Sequence, residues 1–185
     1  MNFKEWFFLE DNEEENNFNK IIVEFAIQKD LPMPTSHLDS GEEAYVFYTS
    51  NPDIVARITK DKDLTGCEKI IETPSIQETG GVVKIIISGM HNNYFISYKE
   101  KVDVNWKRKI DPKHKKKILF ILENLLMDYF ARDYKKIEER IQELSKFKQT
   151  ENMAKAFNLN SNLIKDIHDE NLGINKFGNL VIIDC

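Results

Sequence analysis

The last twenty residues of the chain hold oxygen-bearing side chains whose spacing favours metal-dependent chemistry. In "DIHDENLGINKFGNLVIIDC", the apolar segments 172–174 and 180–183 flank the loop "NKFGN", which predicts a hairpin with Gly178 in a left-handed turn. Because the residues at the open end of a hairpin are neighbours, we expect Asn171 and Asp184 to lie side by side. An amide oxygen beside a carboxylate suits Mg²⁺, which takes few protein ligands and keeps several waters.

Asp166 lies in the same loop, five residues before Asn171. Its carboxylate is close enough in sequence to point into the same pocket without ligating the metal. Two structural interpretations stay open beside this one. Asp166 follows "NSNLIK", which is rich in capping residues, so it could cap a helix or a turn. His168 could steady the loop through a hydrogen bond.

The composition favours a globular, cytoplasmic protein. The chain has 185 residues, of which 41% are hydrophobic, enough for one sizeable domain or two small lobes. A net charge of −5 gives no general reason to bind nucleic acid or an anionic membrane, and we interpret the basic run "KRKIDPKHKKK" as a solvated linker and helix start. No apolar run approaches the roughly 20 residues that span a bilayer. The acidic amino terminus is unlike a signal peptide. Cys67 and Cys185 are expected to be free thiols.

The elements that must position the final hairpin follow from periodicity and turn residues. The pattern predicts an α+β protein in which a β-rich half precedes a helical half. Pro112 should start the helical half, whose three-and-four apolar spacing slips near Asp133 and so predicts two helices more readily than one. The other predicted elements are a helix at 17–29, a hairpin of 44–50 and 53–59 across "NPD", a short helix at 66–73, a hairpin of 82–88 and 93–101 across "GMHN", and a short helix at 149–157.

The pattern of Asp166, four residues, Asn171, a short hairpin and Asp184 resembles the catalytic loop and metal-binding aspartate of the protein-kinase-like fold. The resemblance implies that Asp166 orients or deprotonates an attacking hydroxyl, and that Asn171 and Asp184 hold Mg²⁺ against the phosphates of ATP. His168 makes the motif similar to that of aminoglycoside-phosphotransferase-like kinases, and we include it among the candidate catalytic residues.

The first half of the chain resembles the same fold in the same order. "LDSGEEAYVF" is similar to the kinase glycine-rich loop and keeps Gly41 and Val46, although two of its glycines are replaced. "IVARITK" falls where the family has V-A-x-K. There Val55 and Ala56 would form the apolar wall against adenine, and Arg57 would substitute for the phosphate-binding lysine, with Lys60 two or three residues late.

Two acidic residues complete the nucleotide site that the resemblance implies. Glu72, or alternatively Glu68, would pair with the side chain of Arg57, and the segment from Tyr98 to Glu100 would form the hinge that presents backbone groups to adenine. The implied architecture is bilobal, with a β-rich lobe at 1–100 and a reduced helical lobe at 101–185. Since the sequence stops one residue past Asp184, we expect no activation segment. The chain is most similar to small kinase-like proteins encoded by bacteriophages.

Two functions follow from the resemblance. The first is an ATP- and Mg²⁺-dependent transfer of phosphate to a serine or threonine of a host protein, in the host cytoplasm. The second is a catalytically inactive kinase-like module that binds a protein partner. A metal-dependent nuclease would use Asp166, His168, Asp169 and Asp184, but it leaves the glycine loop and the strand order unexplained.

Overall fold

The computed structural model describes residues 13–40, 44–59, 66–165 and 167–183. Within these ranges the protein has a five-stranded antiparallel sheet, a two-stranded sheet and six α-helices. The predicted α+β class is therefore confirmed. The chain divides into two compact units, one of residues 1–62 and 89–96 and the other of residues 63–88 and 97–185. The predicted division into lobes at residue 100 stays a prediction.

The first unit joins one helix to three strands of the larger sheet. Helix α1 is Glu13–Lys29, and strands β1, β2 and β3 are Pro34–Ser40, Ala44–Thr49 and Ile54–Thr59. Side chains along β2 alternate between half-buried and buried, as expected for a strand with one covered face. The covered face meets α1, where the ring of Phe18 lies 4.8 Å from that of Tyr45.

The second unit is built around helices whose starts are set by capping residues. Asp111 accepts hydrogen bonds from the backbone N–H groups of Lys113 and His114, and Pro112 takes the first helical position, as predicted. Asp133 caps the next helix through the N–H of Lys136, which confirms two helices in this region. The helices are α2 Gly66–Ile71, α3 Pro74–Thr79, α4 Pro112–Phe130, α5 Tyr134–Leu144 and α6 Glu151–Leu159.

A second hairpin completes the larger sheet, whose strand order is β1-β2-β3-β5-β4. Strand β4 is Ile85–His91 and β5 is Tyr94–Glu100. The predicted turn at "GMHN" is wrong, because the strand continues to His91 and the turn is made by Asn92 and Asn93, with φ of 50° and 67°. Asparagine tolerates this left-handed conformation, and a two-residue loop of that kind matches the twist of the flanking strands.

Two elements were not predicted from the sequence. Strand β1 reads "PTSHLDS", which lacks an apolar alternation, and it exists because it pairs with β2 at the end of the sheet, with two irregularities in register. Helix α3 is too short for a helical period to show, and it is fixed by Pro74 at its start and by Gly80 in a left-handed conformation at its end. In the part of the chain that the structure describes, no helix has the length and apolar character needed to cross a bilayer.

Gly81 is predicted to be essential for packing in the second unit. A Cβ at this position would lie 2.7 Å from the Cα of Met153 in α6 and would also overlap the carbonyl group of Asn152. Since both are backbone groups of a helix, they cannot move aside cheaply. Gly81→Ala should lower the free energy of unfolding by about 1–3 kcal/mol, measured by urea denaturation.

Gly89→Ala is the matched control. A Cβ there would meet only the ring of Phe25, at an ordinary 3.8 Å. Its effect should be small, or slightly stabilising, because alanine restricts the unfolded chain. Equal losses for both variants would contradict the close approach at Gly81.

Candidate functional site

The predicted terminal hairpin is present and lies in the second unit. Strand β6 is Leu172–Ile174 and β7 is Leu180–Ile182, and they pair antiparallel with Leu172 opposite Ile182. All six strand residues are buried. The prediction of this hairpin is confirmed, with β7 ending one residue earlier than expected.

The loop of the hairpin is organised by one buried side chain. Asn175 is 8% exposed, and its Oδ1 accepts hydrogen bonds from the N–H groups of Phe177 and Asn179, both at 3.0 Å. Gly178 has a φ of 80°, which confirms its predicted left-handed conformation. The carboxamide thus replaces the backbone partners that the N–H groups lack in so short a loop.

Both outer edges of the hairpin are hydrogen-bonded to other segments of the second unit. On the β6 side, Ile174 and Asp103 exchange backbone hydrogen bonds of 2.9 and 3.0 Å. On the β7 side, the N–H of Ile182 donates to the carbonyl of Gly81 at 3.1 Å. The carbonyl of Ile182 accepts from the N–H of Val83 at 2.7 Å. The hairpin therefore has a fixed position between residues 81–83 and Asp103.

The open end of the hairpin carries the candidate metal site. The N–H of Ile183 donates to the carbonyl of Asn171 at 2.9 Å, so the pairing continues one residue beyond β7. Asp184 is the next residue in the chain, but it lies outside the described residues, as does Asp166. The predicted approach of the side-chain oxygens of Asn171 and Asp184 stays a prediction.

His168 and Asn171 contact one another across a short 3₁₀ turn. Asn171 Nδ2 lies 3.0 Å from His168 Nε2, and the N–H of Asn171 also donates to the carbonyl of His168 at 3.0 Å. For the amide to donate, Nε2 must be the acceptor nitrogen of the ring. The contact engages the nitrogen end of the amide. The oxygen end, which is the end a hard cation would take, plays no part in it.

The nucleotide-binding residues predicted in the first unit do not all share one face of the sheet. Val46 pairs with Arg57 across β2 and β3, and both are half-buried, so their side chains lie on the same face. Ala56 pairs instead with Phe47, and both are buried on the opposite face, which α1 covers. Gly41 lies outside the described residues.

This separation follows from the spacing of the motif. Successive strand residues point to opposite faces, so the alanine and lysine of V-A-x-K, two residues apart, share a face, whereas Ala56 and Arg57, one residue apart, do not. The residue two after Ala56 is Ile58, which is fully buried. Tyr48, which the motif comparison did not select, pairs with Val55 on the same face as Arg57. Counting in twos along β2 from Val46, the partner of Arg57, would have found it.

The two predicted acidic residues both lie in the second unit. Glu72 follows α2, and its Oε1 is inaccessible to solvent and has no hydrogen-bond partner among the described residues. Glu100 ends β5, where its backbone N–H donates to the carbonyl of Lys84 at 2.8 Å and its Oε1 accepts from the N–H of Lys84 at 3.2 Å. The backbone N–H of Glu100, which belongs to the predicted hinge, is therefore already engaged in the sheet. Tyr98 belongs to the same predicted hinge, and its burial raises the pKa of its hydroxyl above the ordinary value. The side chain of Glu68 is not described.

Comparison with models of known protein families finds no match, and comparison with curated protein sequences finds none. The assignment of function therefore depends on the residues of this chain. Within the described ranges no group of three or more histidine, cysteine or acidic side chains is placed to hold a metal ion. The two aspartates predicted to act at the hairpin are outside those ranges.

Asn175 is predicted to determine the stability of the hairpin loop. Asn175→Ala removes the acceptor for two backbone N–H groups, so unfolding free energy should fall by about 1–3 kcal/mol in urea denaturation. The matched change Asn179→Ala keeps the backbone groups of that loop residue and should cost less than half as much. A similar loss for both variants would show that the side chain of Asn175 does not organise the loop.

Proposed function

We propose that the protein is an ATP- and Mg²⁺-dependent phosphotransferase of the protein-kinase-like class that acts on a serine or threonine hydroxyl of a protein. The observation that carries the proposal is the hydrogen bond from Ile183 to the carbonyl of Asn171. It joins the backbone of Asn171, one of the two metal ligands that the resemblance implies, to the residue that precedes Asp184, the other. The resemblance to bacteriophage proteins makes a host protein the favoured substrate.

The hairpin end supports the proposal through the chemistry of its side chains. Asn171 and Asp184 would hold Mg²⁺, whose role is to neutralise charge on the phosphates. The contact with His168 Nε2 holds the nitrogen of the Asn171 amide, and so orients its oxygen. His168 thus acts as a positioning residue in this proposal.

The transfer step itself needs a carboxylate that contacts the acceptor. Asp166, two residues before His168, would accept a hydrogen bond from the attacking hydroxyl and take its proton as the new bond to the γ-phosphorus forms and the bond from that phosphorus to the leaving ADP breaks. The rest of the catalysis is positioning and charge stabilisation, which explains why so few side chains are required.

The sheet supports nucleotide binding with a revised set of residues. The segment Val55, Ala56 and Arg57 lies on the third strand, which is the structural context expected for V-A-x-K. Because Ala56 faces α1, we assign the apolar wall against the base to Val46 and Val55. Arg57 shares their face, and its planar guanidinium can bind phosphate oxygens through two hydrogen bonds.

A catalytically inactive kinase-like module is the second candidate function. The observation that favours it is the burial of Ile58 at the position two residues after Ala56. A strand that places an isoleucine there cannot present a lysine beside the alanine on the same face. Such a module would keep the fold for binding a protein partner and would transfer no phosphate.

Two aspartate variants separate the catalytic step from nucleotide binding. Asp166→Asn should reduce phosphate transfer from ATP by 100-fold or more, on the order expected for loss of a general base, while leaving the affinity for ATP·Mg²⁺ nearly unchanged. Asp184→Asn should weaken both, because the lost charge acts on the bound nucleotide as well as on the transition state. Transfer is measured with radiolabelled ATP and binding by calorimetry. Wild-type activity in the Asp166→Asn variant would exclude the proposed role of Asp166, and no transfer by the wild-type chain would exclude the enzyme.

Arg57 is predicted to bind the phosphates and not the base. Arg57→Ala should weaken ATP binding about tenfold, consistent with one charged hydrogen-bonding contact, and leave adenosine binding unchanged. Arg57→Lys should fall between, since lysine keeps the charge but not the two-pronged geometry. Arg108→Lys is an exposed control in the second unit and should change nothing. Equal losses for ATP and adenosine would remove the phosphate role.

A further inference from the structure

An open groove of about 670 Å³ runs beside strand β4 in the second unit. Its walls come from α3, from the loop of the terminal hairpin and from Asn152 of α6. We call it the β4 groove. The wall from β4 is the segment Lys84, Ile85, Ile86, Ile87 and Ser88.

This wall is a backbone edge. Successive residues of a strand point to opposite faces, so a groove lined by five in a row must pass along the main chain. Strand β4 is the last in the strand order of the described sheet. Its outer N–H and C=O groups therefore face the groove, and such an edge is a template for another strand.

At the start of this edge, the side chain of Gln77 makes the backbone hydrogen bonds that a neighbouring strand would otherwise make. Gln77 Oε1 accepts from the N–H of Ile85 at 3.1 Å, and Gln77 Nε2 donates to the carbonyl of Val83 at 3.0 Å. These are the two kinds of contact that a neighbouring backbone would make. Beyond Ile85, residues 86–88 have no such substitute among the described side chains.

The chemistry of the groove is apolar along the edge and acidic beside it. Ile86 is 44% exposed and Phe177, on the hairpin loop, is 74% exposed. Among the described residues, three carboxylates, those of Glu72, Glu78 and Glu100, line the groove together with one lysine, Lys84. The Oε1 of Glu72 is inaccessible and has no donor in the part of the chain that the structure describes, and burying such an oxygen without a donor is costly.

We propose that the β4 groove binds an extended segment of a partner protein, which adds a strand to β4 and places a lysine or arginine against Glu72. Main-chain hydrogen bonds to those N–H and C=O groups of residues 86–88 that point away from β5 supply affinity, and alternate side chains supply specificity. Apolar residues of the segment cover Ile86 and Phe177, while the basic residues, two apart, face the carboxylates. The site is independent of the proposed phosphate transfer.

Charge distinguishes this occupant from a second copy of the chain. The chain has a net charge of −5 and the groove itself is acidic, so pairing two β4 edges would bring like charges together. A basic segment instead brings positive charge to the three carboxylates that line the groove.

The test uses the full chain and a blocked synthetic heptapeptide in which valine alternates with lysine and arginine. We expect saturable binding in fluorescence anisotropy. The same peptide with N-methyl groups on its backbone, and a peptide with glutamate in place of the basic residues, should bind at least tenfold more weakly. Equal binding of the N-methylated peptide would overturn strand addition, and no binding of the basic peptide would overturn the site.

Two variants locate the binding on the chain. Glu72→Gln keeps the shape of the side chain and should weaken the basic peptide about tenfold, whereas the exposed control Glu138→Gln on α5 should have no effect. Ile86→Lys places a charge on the exposed edge and should also weaken binding. Unchanged affinity in Glu72→Gln would overturn the proposal. Self-association of the wild-type chain in sedimentation, abolished by Ile86→Lys, would assign the edge to a second copy instead.

Discussion

The second unit depends on the hydrogen bonds at the two outer edges of the terminal hairpin. Strands of three residues have little pairing of their own, and here all six strand residues are buried. Buried backbone groups need partners, which Asp103 supplies on one edge and residues 81–83 on the other. Glycines permit this closeness, since a Cβ on Gly173 would lie 2.6 Å from Val102 Cγ2. The position of the candidate metal site, at the open end of this hairpin, therefore depends on these edge hydrogen bonds.

In the sheet of the first unit, residues that match a sequence motif do not have the spatial arrangement that the motif implies. The residues Val55, Ala56 and Arg57 occur in the expected order, but the alternation of a strand assigns Ala56 to the face covered by α1 and Arg57 to the other. This difference between the two faces is visible only from the strand pairing, in which Arg57 lies opposite Val46 and Ala56 lies opposite Phe47. A nucleotide pocket on the Arg57 face would therefore have to use Val46 and Val55 as its wall, a set that differs by one residue from the one the motif selects.

The sequence was most informative where local chemistry decides the structure. The terminal hairpin, its left-handed Gly178, the start of α4 at Pro112 and the break at Asp133 all depend on residues within one turn of each other. Strand β1 could not be predicted because its sequence lacks an apolar alternation, although its partner β2 is the next strand along the chain. The edge contacts of the hairpin could not be predicted because they are made with residues distant in sequence. The candidate site divides in the same way. The hairpin end is local, whereas the faces of β2 and β3 depend on register.

The pairing of Val82 with Ile182 also has a consequence for the kinetics of folding. The two residues are far apart in the chain, so this contact closes a long loop and contributes to a high contact order. Closing the loop lowers the conformational entropy of the chain before the contact can contribute any stabilising free energy. Helices α4 and α5 can form from neighbouring residues early, but the second unit reaches its final packing only when the segment 172–183 docks between its two edges. We therefore expect the slow step of folding to be the docking of the same hairpin that carries Asn171.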